Sequence, residues 1–188
     1  MFVVLEGIDG SGKTDVAKKL VDKLGAVLYA TPPEKYRKLR RSIDSSGNIQ
    51  GHYEFYREAV TFASEEIQML ISSGSTTVIC DRYWLSTIAY HRTGGMTLNV
   101  SDFSALLQPD LTVMLLVSPE IQIKRSSGRG AEVGNIQGKQ EELTGQFLQA
   151  LVESKLPFVA IHTDHLNLDQ ISDIVIAAIA AHKNGSTY

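Results

Sequence analysis

Five short runs of apolar residues recur along the chain, and turn-forming residues separate each run from the next. The runs are rich in β-branched and aromatic side chains, without regular polar alternation, which is typical of strands buried on both faces of a sheet. The predicted strands are residues 2–5, 26–30, 76–80, 111–117 and 158–162.

Most segments between these runs place apolar residues at helical spacing. The predicted helices are residues 14–24, 34–43, 53–71, 83–91, 101–107, 121–125, 141–154 and 168–182, with Ser101 as the N-cap of the fifth. Strands that alternate with helices favour a parallel sheet covered by helices on both faces. We therefore predict an α/β fold with about five parallel strands. Since no internal repeat or linker interrupts the chain, we expect one domain over residues 1–188.

The composition narrows the partners that the protein can be expected to have. The 188 residues carry a formal net charge of −3, so no overall positive field favours a nucleic acid partner. No apolar run reaches the roughly 18 residues of a membrane span, so no membrane association is expected. The single cysteine, Cys80, is compatible with a reducing compartment, and we predict a cytoplasmic protein.

The junction between the first strand and the first helix carries the sequence GIDGSGKT, which matches the pattern G-x-x-x-x-G-K-[ST] of a P-loop. Glycines let backbone N–H groups approach phosphate oxygens, and the helix N-terminus attracts their negative charge. Lys13 would neutralise the β- and γ-phosphates, and the Thr14 hydroxyl would bind Mg²⁺. We therefore predict a site for a nucleoside triphosphate. Its predicted residues are Gly7, Asp9, Gly10, Ser11, Gly12, Lys13 and Thr14.

The third predicted strand ends just before Asp81, where a carboxylate can hold Mg²⁺ through water, as in other P-loop proteins. The alternative is that Asp81 caps the helix that follows. The chain lacks the D-x-x-G and N-K-x-D motifs typical of GTPases and the L-S-G-G-Q motif typical of transporter ATPases. These absences favour a kinase.

Three motifs in order resemble the thymidylate kinase family of nucleoside monophosphate kinases. They are EGIDGSGKT at 6–14, DRYWLSTIAY at 81–90, and PDLT through VSPE at 109–120. The resemblance covers residues 1 to about 125. It implies transfer of the γ-phosphate of Mg²⁺–ATP to dTMP or a related nucleotide, a homodimer, and a mobile lid at about 125–140.

The same resemblance assigns roles around the acceptor nucleotide. It implies that Asp9 binds the 3′-hydroxyl of the sugar, that Arg82 binds the acceptor phosphate, and that Tyr90 lies near the sugar and disfavours a 2′-hydroxyl. The alternatives are an ordinary surface position for Asp9, a salt bridge from Arg82 to a neighbouring helix, and a core position for Tyr90.

Two arginines in the predicted lid are candidates for stabilising the transferred phosphoryl group. Some family members carry a basic residue inside the P-loop where this chain has Gly10, so Arg125 and Arg129 are expected to supply that charge. The alternative is an exposed loop with two ordinary arginines.

The residues that would read the acceptor base are less clear. The resemblance places an aromatic residue at Tyr56, or at Phe55, for stacking on a pyrimidine, and an arginine on or near Val60, where no basic residue stands on the same helix face. The preferred base is therefore left open. Arg37, together with Arg40 and Arg41, is a candidate second ligand for the acceptor phosphate or else part of a solvated basic face. The five histidines show no metal-ligand spacing.

Three functional hypotheses follow. The leading one is a kinase of the thymidylate kinase type. The second is a P-loop kinase that acts on a nucleoside or another small hydroxyl compound, with Asp9 or Glu6 as the base. The third is an ATP-binding switch that has no phosphoryl acceptor.

Overall fold

The computed structural model describes residues 1–74, 77–126 and 138–185, and within them five parallel strands form one sheet. The strands are β1 (Phe2–Glu6), β2 (Val27–Ala30), β3 (Val78–Asp81), β4 (Leu111–Leu116) and β5 (Phe158–His162). Their order across the sheet is β2-β3-β1-β4-β5, and every neighbouring pair is parallel.

Seven α-helices connect and cover the strands in the described residues. They are α1 (Lys13–Leu24), α2 (Arg37–Asp44), α3 (Ile49–Ser72), α4 (Trp84–Thr93), α5 (Pro119–Ser126), α6 (Gln140–Ser154) and α7 (Leu168–Lys183). The predicted helix at 34–43 is divided into a 3₁₀ turn, Glu34–Tyr36, and α2. None of the described helices is long and apolar enough to cross a membrane.

The predicted helix at 101–107 is wrong in extent and in its cap. The element is a 3₁₀ turn, Val100–Phe103, and its N-cap is Asn99. The Asp102 side chain accepts a hydrogen bond from the Asn99 backbone, and the Asn99 side chain accepts one in return. This reciprocal pair of hydrogen bonds is a capping box, and it makes Asn99 the N-cap in place of Ser101.

Side chains on the two faces of the sheet enter two separate cores. On one face, Val3, Leu5 and Val113 pack with apolar residues of α1 and α7. On the other, Phe2 and Met114 pack with α3, α4 and α6. The sheet is therefore buried on both faces, which confirms the predicted α/β architecture and explains why its strands lack polar alternation.

The central strands bring the first two motifs together. In the pairing of β1 with β3, Leu5 lies opposite Asp81, so the segments that leave these two strands begin side by side. Open parallel sheets bind ligands beyond the carboxyl ends of their strands, because the loops that start there converge. The residues that follow β1 and β3 are therefore expected to form the functional site.

Candidate active site

The loop between β1 and α1 has the backbone shape that its glycines allow. Gly7 has φ 144°, and a Cβ atom there would lie 2.4 Å from the backbone oxygen of Leu115. Only glycine fits at this distance. Gly12 is the N-cap of α1. Its backbone has φ 96°, and this left-handed conformation turns the loop into the helix.

Lys13 lies buried at the N-terminus of α1 with its ammonium group folded back into the loop. Its Nζ atom donates to the backbone oxygen of Ile8 at 2.8 Å and to Ser11 Oγ at 3.3 Å. Burial, and next the nearby Arg82 charge, lower the pKa of Lys13 to about 7. An anion that enters the site would therefore favour the protonated form of Lys13.

Thr14 and Asp81 meet where the loop faces β3. Thr14 Oγ1 donates a hydrogen bond to Asp81 Oδ2 at 2.6 Å. The other carboxylate oxygen, Asp81 Oδ1, is buried and has no hydrogen-bond partner in the described part of the chain. The helix cap proposed as an alternative role for Asp81 is wrong, because the N-cap of α4 is Tyr83. A hydroxyl beside an orphaned carboxylate oxygen is a donor set that suits Mg²⁺.

Arg82 joins the two motifs. Its Nη2 atom pairs with Asp9 Oδ1 at 2.5 Å, and its Nη1 atom donates to the backbone oxygen of Gly7 and to Ser86 Oγ, each at 3.1 Å. The backbone of Arg82 has φ 67°, a left-handed conformation that is unusual for a residue with a side chain. The alternative of a salt bridge to a neighbouring helix is wrong, since the partner of Arg82 is the loop residue Asp9.

Tyr90 completes this group. Its hydroxyl donates to Asp9 Oδ2 at 3.3 Å, and its ring lies 5.5 Å from the Arg82 guanidinium carbon. The ring edge also packs on Phe147, so Tyr90 has a core contact as well as a polar one. Burial acts to raise the pKa of Asp9, but the charges of Arg82 and Lys13 outweigh it and hold that pKa below its usual value.

Glu6, at the end of β1, lies buried beside the residues that follow β3, and the sequence suggested it only as a base for a hydroxyl acceptor. It is fully buried, and its carboxylate accepts hydrogen bonds from the backbone N–H of Tyr83 at 2.8 Å, the backbone N–H of Ser86 at 3.2 Å and Ser86 Oγ at 2.6 Å. Burial raises the pKa of Glu6 to about 7 despite these bonds. Its place at a strand end, beside the P-loop, was the available signal.

One cavity of about 820 Å³ connects the P-loop to the facing surfaces of α2, α3 and α4. Tyr56 lines it, as predicted for a base-stacking residue. Val60 does not, because it is buried in the core with 1% of its surface exposed. The residues that line this end of the cavity beside Tyr56 are His52 and His91, which sequence reasoning did not select. The sequence shows that His52 precedes Tyr56 by one helical turn and that His91 directly follows Tyr90, but it does not show that the two histidines meet.

The remaining candidate arginines lie in different places. Arg37 lines the cavity, where its side chain is 74% exposed and forms an ion pair with Glu34. Arg125 is absent from the described cavity lining; its guanidinium donates to Thr163 Oγ1 at 3.0 Å and to the Thr163 backbone oxygen at 2.9 Å, just beyond β5. Arg129, and the part of the predicted lid at 127–137, lie outside the described residues.

The chain is similar to known proteins over most of its length. The family model described as thymidylate kinase matches residues 5–169. A probable thymidylate kinase from Pyrococcus horikoshii is 36% identical over 148 residues, which cover 69% of this chain and 71% of the relative. A thymidylate kinase from Maridesulfovibrio salexigens is 28% identical over 205 residues, covering 96% and 94%.

Solved structures share the fold. A thymidylate kinase from Candida albicans has a TM-score of 0.76 at 23% identity, and the match covers 97% of this chain and 92% of that one. A deoxyadenosine kinase from M. mycoides has a TM-score of 0.72 at 18% identity, covering 96% and 100%. At these identities, the two structures establish a common architecture and leave the acceptor to be argued from the site itself.

Proposed function

This chain belongs to the thymidylate kinase family, and we propose that it transfers the γ-phosphate of ATP to dTMP, giving dTDP and ADP. It is an ATP-dependent phosphotransferase. The observation that carries the choice of acceptor is Arg82, a cation held in the cavity by Asp9 and Gly7. A guanidinium in this position fits an acceptor that already carries a phosphate.

For this reaction the protein has to position the donor and acceptor phosphates and neutralise their charge. The bond from the γ-phosphorus to the leaving ADP oxygen breaks, and a bond to an oxygen of the acceptor phosphate forms, so no covalent intermediate with the protein is needed. Lys13 neutralises the donor phosphates, and Arg82 neutralises the acceptor phosphate. Because these cations line the same cavity, two anionic groups that repel one another can be held for transfer.

The donor set at the loop supports magnesium as the cofactor. Thr14 Oγ1 and the orphaned Asp81 Oδ1 are the groups that would hold it, directly or through water. When bound, Mg²⁺ neutralises charge on the phosphates of ATP. No cluster of three or more His, Cys, Asp or Glu residues within 1–74, 77–126 and 138–185 offers another metal site, which fits an ion held chiefly by phosphate oxygens.

The other assigned roles remain part of the proposal. Asp9 and Tyr90 would bind the sugar, Tyr56 would stack on the base, and Arg37 would assist with the acceptor phosphate at the cavity mouth. Arg125 and Arg129 would act from the lid.

The family resemblance supports a homodimer, and the single buried Cys80 supports a cytoplasmic location. We include both in the proposal, with one kinase domain over residues 1–188.

The direct test offers possible acceptors one at a time with Mg²⁺–ATP and measures ADP release. The acceptors are dTMP, dUMP, UMP, CMP, AMP and GMP, with thymidine added to test the nucleoside hypothesis. We expect dTMP to give the highest kcat/KM. Turnover of thymidine but of no monophosphate would replace the proposal with a nucleoside kinase, and ATP binding without any turnover would favour a switch.

Replacing Asp81 by asparagine is expected to raise the Mg²⁺ concentration for half-maximal velocity by about tenfold or more. The substitution Asp81→Asn keeps an oxygen for the Thr14 hydroxyl and removes the negative charge, so it isolates the electrostatic contribution. The measurement is a Mg²⁺ titration at saturating ATP and dTMP. Asp22→Asn, on the exposed face of α1, is the matched control. An unchanged Mg²⁺ dependence in Asp81→Asn would contradict the assignment.

A further inference from the structure

Four polar side chains meet in the cavity, on the side formed by α2, α3 and α4, and the phosphate chemistry above does not use them. They are Asp44 at the end of α2, His52 and Tyr56 on α3, and His91 on α4. All four line the cavity that contains Arg82 and Lys13. We refer to Asp44, His52, Tyr56 and His91 as the histidine cluster.

The proton positions on His91 follow from its two neighbours. His91 Nδ1 lies 2.6 Å from the backbone oxygen of Thr87, and because a carbonyl can only accept, Nδ1 must carry a proton. Burial lowers the pKa of His91 to about 4, so the ring is neutral. Its Nε2 atom is therefore an acceptor.

Both ring nitrogens of His52 lie close to acceptors. Its Nδ1 atom lies 2.8 Å from His91 Nε2, an acceptor, so Nδ1 donates. Its Nε2 atom lies 3.3 Å from Asp44 Oδ1. Burial acts to raise the pKa of Asp44, but hydrogen bonds from His52 and Tyr56 and the Arg40 charge hold it below its usual value, so this carboxylate also accepts only. Both contacts are hydrogen bonds when His52 donates from Nδ1 and from Nε2.

Of the donors in the histidine cluster, the Nε2–H group of His52 has the longest contact with its acceptor. Its 3.3 Å contact with Asp44 is longer than a strong N–H···O bond. Asp44 also accepts from the Tyr56 hydroxyl at 2.9 Å and from Arg40 Nε at 3.2 Å, so it does not depend on His52. The His52 side chain is 29% exposed, and its ring lies 4.6 Å from the Tyr56 ring. A base placed against Tyr56 would therefore have a cationic donor near its edge.

We propose that His52 selects the acceptor base: held as a cation between Asp44 and His91, it offers Nε2–H to a carbonyl oxygen on the base edge. This inference rests on the proposed function. A keto base such as uracil or thymine has a carbonyl oxygen where cytosine has an amino group. An amino group facing a cationic donor leaves both donors unpaired, so amino bases are disfavoured.

The test measures equilibrium binding of dUMP and dCMP by calorimetry without ATP. These nucleotides share the sugar and phosphate and differ only at C4 and N3 of the base, so contributions from Arg82 and Asp9 cancel in the ratio of their Kd values. We expect the wild-type protein to favour dUMP by about tenfold or more. His52→Leu should bring the ratio close to one, and His52→Arg, which restores a cationic donor, should keep the preference for dUMP.

Two further variants complete the design. Asp44→Asn removes the anion that holds His52 as a cation, so it should lower the ratio even if His52→Leu fails to fold. His182→Leu, near the end of α7, should leave the ratio unchanged. The proposal is overturned if wild-type protein binds dCMP as tightly as dUMP or binds neither, or if folded His52→Leu keeps the wild-type ratio. Because no turnover is involved, failure of the kinase assay would overturn the proposed function and not this ratio.

Discussion

Replacing Lys13 by methionine is expected to lower kcat by about a thousandfold, because one preorganised charge at the donor phosphates is lost. Methionine has a similar length and no charge, and it suits a site where the lysine is buried. The hydrogen bonds from Lys13 to Ile8 and Ser11 are lost, but so is the cost of burying an ammonium group. The fold should persist, which circular dichroism and thermal unfolding would check.

Proton uptake gives a second, independent measurement on Lys13. With a pKa of about 7 before nucleotide binds, Lys13 is mostly neutral at about pH 8 and mostly charged at about pH 6. Phosphates favour the charged form, so binding of Mg²⁺–ATP should take up about one proton at the higher pH and much less at the lower. Calorimetry in buffers of different ionisation enthalpy measures this uptake, which Lys13→Met should reduce.

The control is Lys18→Met, on an exposed position of the same helix, which should leave kcat and proton uptake unchanged. A Lys13→Met protein that retains kcat within about tenfold of the wild-type value would contradict the assignment, since a group that stabilises the transition state cannot be removed at so small a cost.

The parts of the site that were predicted from sequence are those whose chemistry is contained in a few consecutive residues. A P-loop needs its glycines, lysine and threonine at set positions between a strand and a helix, so the pattern predicts both function and location. Asp81 could be predicted for the same reason, because it follows a buried strand, whereas the role of Arg82 was implied by the family resemblance. The parallel order of the sheet then brings both segments to one edge.

The histidine cluster escaped prediction because it exists only in the packed structure. Asp44, His52 and His91 come from three helices, and their contact depends on how α2, α3 and α4 meet over the sheet. The family resemblance led instead to Val60, which faces the core. Helical periodicity predicts that a face is buried, but it does not tell whether another helix or a ligand covers it.

Arg82→Lys is expected to lower kcat/KM for dTMP by about a hundredfold to a thousandfold. Lysine keeps the positive charge and loses the planar fork with which Arg82 contacts Asp9, Gly7 and Ser86 at once. The variant therefore tests geometry at constant charge. KM for ATP should change much less, because Lys13 and the loop backbone bind the donor. Steady-state kinetics with each substrate varied in turn separate the two effects.

The control for this substitution is Arg92→Lys, on α4, the helix that follows Arg82. Arg92 is also mostly buried, pairs with the Glu153 carboxylate at 2.7 Å and donates to the Leu98 backbone oxygen, but it does not line the described cavity. It should lose stability through the same kind of change while kcat/KM for dTMP stays within about twofold of the wild-type value. Equal losses of activity in the two variants would mean that Arg82 acts through the fold. A loss confined to Arg82→Lys would place its guanidinium on the acceptor phosphate, because stability and charge would then be matched and only the contact with the acceptor would differ.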